Sequence, residues 1–311
     1  MVTFGEALGL VHSTRPGGFQ LVRDARIGFG GAEANVAIGL SRLGVDVQWV
    51  GRLGADSIGD LIERELRAEG VTASVLRDSG RPTALMLKEH RVAGTTQVRY
   101  YRAHSAGSAL AASDLDATAV ASADLLHVTG ITPALSETAR HATFSAIEGA
   151  VEHGVPVSFD VNHRTALWPV EDAAPVYRAI AAQAGLVFAG VDEARILVPG
   201  QHHPQALAAG LAALGPQEVV LKLGAEGCLS LIDGSFHHQP AVPVTPVDTV
   251  GAGDAFVAAY LAAWLNGRTA KTRAADAVSA GAFACLSDGD WEGTPRPADL
   301  HLLTAEEPVT R

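Results

Sequence analysis

Short apolar runs rich in β-branched residues alternate with Ala- and Leu-rich stretches of helical period through most of the chain. That rhythm leaves few architectures open, because it is the pattern of βαβ units and therefore of a parallel sheet covered by helices. A helix that sets Val36, Leu40 and Leu43 on one face stops at Gly44, and a strand is predicted over Val45 to Val50. The next helix carries Ile58, Leu61, Ile62 and Leu66 and ends at Gly70. Further strands are predicted at Leu125 to Thr129, Pro156 to Val161, Leu186 to Ala189 and Glu218 to Leu223. Helices fall near Ser136 to His153, Ala173 to Gln183 and Pro204 to Leu214, and two long ones over Gly251 to Leu265 and Thr272 to Cys285 precede a Pro-rich tail. The expected fold is α/β, a doubly wound, mostly parallel sheet flanked by helices.

Two segments break the rhythm. Leu85 to Arg91 and Gln97 to Arg102 are extended and separated by Val92-Ala93-Gly94-Thr95-Thr96, which reads as a hairpin. Leu21 to Phe29 also reads as extended, and with the hairpin it forms a small β lid over about 11–29 and 82–104 on a single domain spanning 1–311. The polar, Arg-rich composition of these segments suits a partly wet sheet that covers a site or joins two subunits into a homodimer or higher oligomer.

Charge limits the partners. Lys and Arg number 23 against 34 Asp and Glu, a net charge of −11, and the cations are not clustered. Nucleic acid and anionic membranes are therefore excluded as partners. Small anions are not, since a helix N-terminus, a local arginine or a bound divalent ion supplies positive potential where it is needed. Cys228 and Cys285 are too far apart in sequence for a disulfide framework or a metal knuckle, the N-terminus lacks a basic start, and no apolar run reaches the roughly 18 residues of a membrane span. These features lead us to expect a cytoplasmic protein.

The segment most informative about chemistry is Asp248-Thr249-Val250-Gly251-Ala252-Gly253-Asp254-Ala255-Phe256, read as a strand end entering an apolar helix. Amides of Gly251, Ala252 and Gly253 at a helix start make an anion cradle, and Asp254 beside it can take a proton from an attacking hydroxyl. The same residues also suit a tight turn with an acid that merely stabilises the helix. Other Gly-rich readings fail on position: a dinucleotide fingerprint needs glycine at 33 or 256, no Gly-Lys-Ser/Thr occurs, and there is no Asp-Phe-Gly. The doublets His202-His203 and His237-His238 lack metal-ligand spacing and are expected in surface loops.

The run from Gly28-Phe29-Gly30-Gly31-Ala32-Glu33-Ala34-Asn35 to Gly44, together with Asp248 to Phe256, resembles the paired signatures of the ribokinase (PfkB) family of carbohydrate kinases, and Lys222-Leu223-Gly224-Ala225-Glu226-Gly227 is similar to its nucleotide loop. The resemblance implies magnesium-dependent transfer of the ATP γ-phosphate to a sugar hydroxyl. Asp254 is implied as base, Gly251, Ala252 and Gly253 as anion hole, and Gly30, Gly31 and Asn35 as sugar contacts. Lys222, Gly224 and Gly227 are implied at the nucleotide together with Asn162 and Arg164. Asp248 is implied to hold a monovalent cation such as K+. Glu193 is implied to act indirectly on Mg2+, although Gly190 stands where the family has Asn.

Within the family the chain is similar to the subgroup that phosphorylates 2-keto-3-deoxygluconate. The likeness rests on Gly5-Glu6, Tyr100-Tyr101-Arg102, Asp160-Val161-Asn162-His163-Arg164, Leu167-Trp168 and Gly289-Asp290 with Glu292. Arg102 and Arg164 suit the carboxylate of a sugar acid, Tyr100 or Tyr101 would pack on the sugar, and Asp290 would accept from a hydroxyl. Met86 and Val278 depart from the subgroup at the sugar and adenine positions. A neutral-sugar kinase such as a fructokinase, and a non-catalytic sugar or nucleotide sensor, remain as alternatives.

Overall fold

A computed structural model describes residues 1–92 and 95–304. Ala93 and Gly94 of the turn expected at Val92 to Thr96, and the end of the C-terminal tail, lie outside the described residues; Val92, Thr95 and Thr96 belong to strands instead.

The chain opens with strands β1 (Val2–Phe4), β2 (Leu8–Ser13) and β3 (Ala25–Gly30), then helix α1 (Ala32–Arg42), β4 (Gln48–Gly54), α2 (Ser57–Ala68) and β5 (Thr72–Asp78). A hairpin of β6 (Leu85–Val92) and β7 (Thr95–Tyr101) follows, then α3 (Ala117–Ala121), β8 (Leu126–Thr129), α4 (Thr132–Leu135), α5 (Glu137–Glu152) and β9 (Val157–Asp160). The second half runs α6 (Val170–Ala181), β10 (Leu186–Gly190), α7 (Val191–Leu197), α8 (Pro204–Ala212), β11 (Glu218–Lys222), β12 (Cys228–Ile232), β13 (Ser235–Gln239), α9 (Ala252–Leu265) and α10 (Ala270–Ala284).

These strands form a nine-stranded sheet in the order β13-β12-β11-β10-β9-β8-β1-β4-β5 and a four-stranded sheet in the order β3-β2-β6-β7. The large sheet is parallel from β5 through β11, and β12 and β13 extend it antiparallel at one edge. Helices bury apolar side chains on both faces: Phe159, Tyr177 and Ile147 belong to one core, and Trp49, Ile38, Phe188 and Tyr260 to the other. The doubly wound, mostly parallel expectation holds.

Several boundaries and elements differ from the sequence reading. The strand expected at Val45 to Val50 starts at Gln48 and runs on to Gly54. Only Ala25–Gly30 of the extended segment is a strand, because the Leu21 and Val22 amides turn back on the Gly18 carbonyl. Strands β1, β2, β5, β12 and β13 were not expected. His237 and His238 lie exposed on edge strand β13, not in a loop. No strand leads into Asp248: residues 240–248 form no regular element.

Helix α9 is buried from Asp254 to Ala263 and packs against α1 and α10. A Cβ at Gly39 of α1 would lie 2.6 Å from Cβ of Ala258 on α9, so the missing side chain lets the two helices cross closely. One turn nearer their N-termini, that approach sets Asn35 beside Asp254.

Candidate active site

The carboxyl ends of β1, β8, β9, β10 and β11 open toward the small sheet, and the chain reverses its winding at β1, between β4 and β8. Such a switch point in an open parallel sheet leaves a crevice between diverging connections. Two cavities occupy it, of about 510 Å³ and 640 Å³, and they share Lys222, Thr249 and Gly253.

Asp254 stands in the wall of the first cavity, 9 % exposed. Its Oδ2 accepts a 2.8 Å hydrogen bond from Asn35 Nδ2, and the side chain of Asn162 is a further hydrogen-bond partner. Burial pushes its carboxyl above the ordinary range, while Asn35, Arg164 and Lys222 act in the opposite direction. Gly251 caps α9 in the left-handed conformation, φ 76°. The Ala252 amide turns back on the Thr249 carbonyl at 3.4 Å. The amides of Gly251 and Gly253 meet no protein acceptor among the described residues, so the cradle is narrower than the three expected amides.

Lys222 ends β11 and donates to both oxygens of Asp160 at 2.7 and 2.9 Å. Burial pushes the Asp160 carboxyl up, and the Lys222 ammonium pulls it back down. The sequence singled out Lys222; Asp160 was part of a quoted motif without a role. Beyond Lys222, Gly224, Gly227, Ala252 and Val278 line the second, more apolar cavity.

The small sheet roofs the first cavity with Leu8, Met86, Val98 and Tyr100. Strand alternation carries Tyr101 to the outer face, where it is 55 % exposed, so of the two tyrosines only Tyr100 reaches the cavity. Arg102 stacks over Tyr100 at 5.2 Å. Its Nε donates to Glu6 Oε2 at 2.8 Å, and Ser105 Oγ holds the other Glu6 oxygen at 2.7 Å. The guanidinium expected to be open for an acidic ligand is thus largely spent on buried Glu6, 96 residues away in sequence. Arg164 lines the same cavity from an exposed loop and makes no side-chain hydrogen bond among the described residues.

Gly31, Asn162 and Asp290 also line this cavity, and a Cβ at Gly30 would strike the Asp290 carboxylate. Asp290 is buried with Oδ1 unpaired, and burial pushes its carboxyl up to about 7, with Lys88 opposing. Between its ordinary 3.8 and about 7 the unfolded chain releases a proton that the folded chain keeps. Stability therefore falls as pH rises through that window, by about 4 kcal/mol in full. Asp290→Asn is expected to gain melting temperature relative to the wild type between about pH 5 and pH 8, a gap that thermal denaturation would measure and that a pH-independent difference would refute.

Glu193 faces the cavity, but its Oε2 accepts from the Gly190 amide at 2.6 Å and its Oε1 from the His163 amide at 3.0 Å. No cluster of three His, Cys, Asp or Glu side chains stands ready for a metal among the described residues. With both Glu193 oxygens engaged by amides, this donor set fits Mg2+ only as an ion whose other ligands come from elsewhere than this chain. Asp248 is hydrogen-bonded to buried Lys88, a residue the sequence reading did not single out.

The pfkB family carbohydrate kinase model matches residues 2–297. A 2-dehydro-3-deoxygluconokinase of Bacillus subtilis is 36% identical, with 99% of this chain and 96% of that protein covered. Fructokinase-1 of Zea mays is 36% identical over 75% of this chain and 72% of its own. The crystal structure of 2-dehydro-3-deoxygluconokinase from Thermotoga maritima superposes with a TM-score of 0.90 at 26% identity, covering 98% of this chain and 99% of that one. A cradle of amides on a buried helix start, an acid beside it and a match that runs nearly end to end lead to one conclusion: the chain belongs to the pfkB family of carbohydrate kinases and is an ATP-dependent sugar kinase.

Proposed function

We propose that the chain transfers the ATP γ-phosphate to a hydroxyl of a sugar acid, with 2-keto-3-deoxygluconate (2-dehydro-3-deoxygluconate) going to its 6-phosphate. The observation that carries this reading is the Arg164 guanidinium, which makes no side-chain hydrogen bond among the described residues and lies in the same cavity as Asp254. The sugar lies under the small sheet, which acts as the lid of one catalytic unit, with Tyr100 and Met86 against its carbon face. Asn35, Gly30, Gly31 and Asp290 take its hydroxyls. Arg164 takes its carboxylate through charged hydrogen bonds, and Arg102 orders Glu6 and Tyr100 around it.

The hydroxyl proton passes to Asp254 as the hydroxyl oxygen bonds to the γ-phosphorus. The bond from that phosphorus to the bridging oxygen breaks, and ADP leaves. Amides of Gly251 and Gly253 and the Lys222 ammonium stabilise the charge that gathers on the transferred group. Adenine lies in the second cavity between the Gly224–Gly227 loop and Val278. Glu193 is the residue that would serve a magnesium ion, which would supply further charge neutralisation when bound. Outer-face Ile27 and Tyr101, 63 and 55 % exposed, give the lid an apolar surface for a homodimer. Both cysteines are unpaired, which suits the cytoplasm.

ADP release over a panel of sugars tests the substrate. 2-Keto-3-deoxygluconate is expected to exceed fructose, ribose and nucleosides by about 100-fold or more in kcat/KM, the scale of one charged contact left unmade. Arg164→Met should abolish most of that advantage, costing the sugar acid far more turnover than a neutral sugar. Equal use of fructose by the wild type would transfer the assignment to a neutral-sugar kinase.

A further inference from the structure

We propose that the Lys88 ammonium is the fixed cation of the anion-hole loop, so that Asp248 holds no exchangeable potassium ion. The proposal deepens the kinase reading and rests on it for the role of Gly251 and Gly253, but not on which sugar is used.

Lys88 sits on lid strand β6, two residues beyond Met86 and therefore on the same cavity-facing side. Its side chain is 2% exposed and forms an ion pair with Asp248, itself 6% exposed, 160 residues away in sequence. The ammonium meets Oδ2, while Oδ1 accepts the Val250 amide at 3.2 Å. Amides of Val247 and Asp248 both reach the Cys285 carbonyl at the end of α10. The loop is thus fixed at its backbone by α10 and at its carboxylate by the lid, three residues before Gly251.

The charge balance decides against a second cation. Asp248 carries one negative charge, and Lys88 matches it from hydrogen-bond distance inside the protein. A monovalent ion placed against the same carboxylate would face an unscreened ammonium, a repulsion that low local dielectric makes large. Both oxygens are already engaged. The same pairing makes Lys88 a positioning residue: a lid strand in place and an anion hole in place become one condition, so phosphoryl transfer is favoured when sugar holds the lid down.

Turnover measured in KCl, NaCl and tetramethylammonium chloride at equal ionic strength tests this. Wild-type rates are expected to agree within about twofold, since screening alone then acts equally in all three salts. Lys88→Gln leaves an uncompensated buried carboxylate. In tetramethylammonium chloride it should lose about 100-fold in kcat with a smaller change in KM, and potassium should restore at least about tenfold of that by filling the vacated place. Potassium should also raise its melting temperature and leave that of the wild type unchanged.

Should Lys88→Gln fail to fold, thallium-205 line broadening on the wild type and on Asp248→Asn decides the matter without any sugar. Equal line widths support the fixed cation. Wild-type broadening that Asp248→Asn removes would overturn it, as would potassium activation of the wild type or a Lys88→Gln enzyme with normal, salt-independent turnover. A failed sugar panel would leave each of these results standing.

Discussion

Asp254→Asn should reduce kcat by about 10³-fold or more while ATP binding and folding survive, because a positioned base contributes roughly 10²–10⁴ in rate and charge positioning is lost with it. The geometry makes this substitution cleaner than most. The new amide oxygen can still accept from Asn35 Nδ2, whose contact with Asp254 is now 2.8 Å. Asn35 also carries an acceptor, Oδ1, that is buried without a partner. The buried negative charge disappears as well, and burial opposes that charge in the native protein. Melting temperature should therefore hold or rise while ADP release collapses. Calorimetric titration with ATP, run beside the turnover assay, separates the base from the binding site. A variant within about tenfold of wild-type kcat would remove Asp254 from the role of base.

What the sequence disclosed and what it hid divide along separation in the chain. The segments Gly28 to Gly44 and Asp248 to Phe256 were legible because a glycine-rich turn feeding a helix is a local requirement, met by adjacent residues. The parallel core was legible for the same reason, as each strand and helix declares its period within its own length. Lys88 with Asp248, and Arg102 with Glu6, are pairings across 160 and 96 residues, set by how the small sheet folds back over the large one. No period or motif encodes that approach. Alternation gave the spacing of Tyr100 and Tyr101 but not its phase, which only the seated sheet determines. One miss had a signal: Asp233-Gly234 between two alternating runs, with φ 48° and 75°, is a hairpin turn joining β12 and β13. Lys88 left a fainter trace, as one of three lysines in the chain and two residues from Met86 on the same face of its strand.

Gly251→Ala should be nearly as damaging as loss of the base, by a different route. Gly251 has φ 76°, a conformation that costs a residue with a side chain about 1–2 kcal/mol. Its Cβ would also fall 1.7 Å from the Asp290 carbonyl oxygen, a separation no rotamer relieves because both atoms belong to backbone-fixed positions. The turn must shift away from Asp290, and the amides of Gly251 and Gly253 shift with it. Loss of aligned donors to a developing charge costs about 10²–10³ in kcat, and this variant misplaces the cradle as a whole. Gly253→Ala is the control two residues on. Its position is helical, and the nearest atom to a new Cβ is the Lys222 ammonium at 3.9 Å, so neither the helix start nor the cradle has to move. We expect Gly251→Ala to lose at least about 100-fold in kcat together with several degrees of melting temperature, and Gly253→Ala to lose less than about tenfold with its stability unchanged. Equal losses in the two variants would mean that crowding of the phosphate, not the left-handed turn against Asp290, accounts for the glycines in this loop.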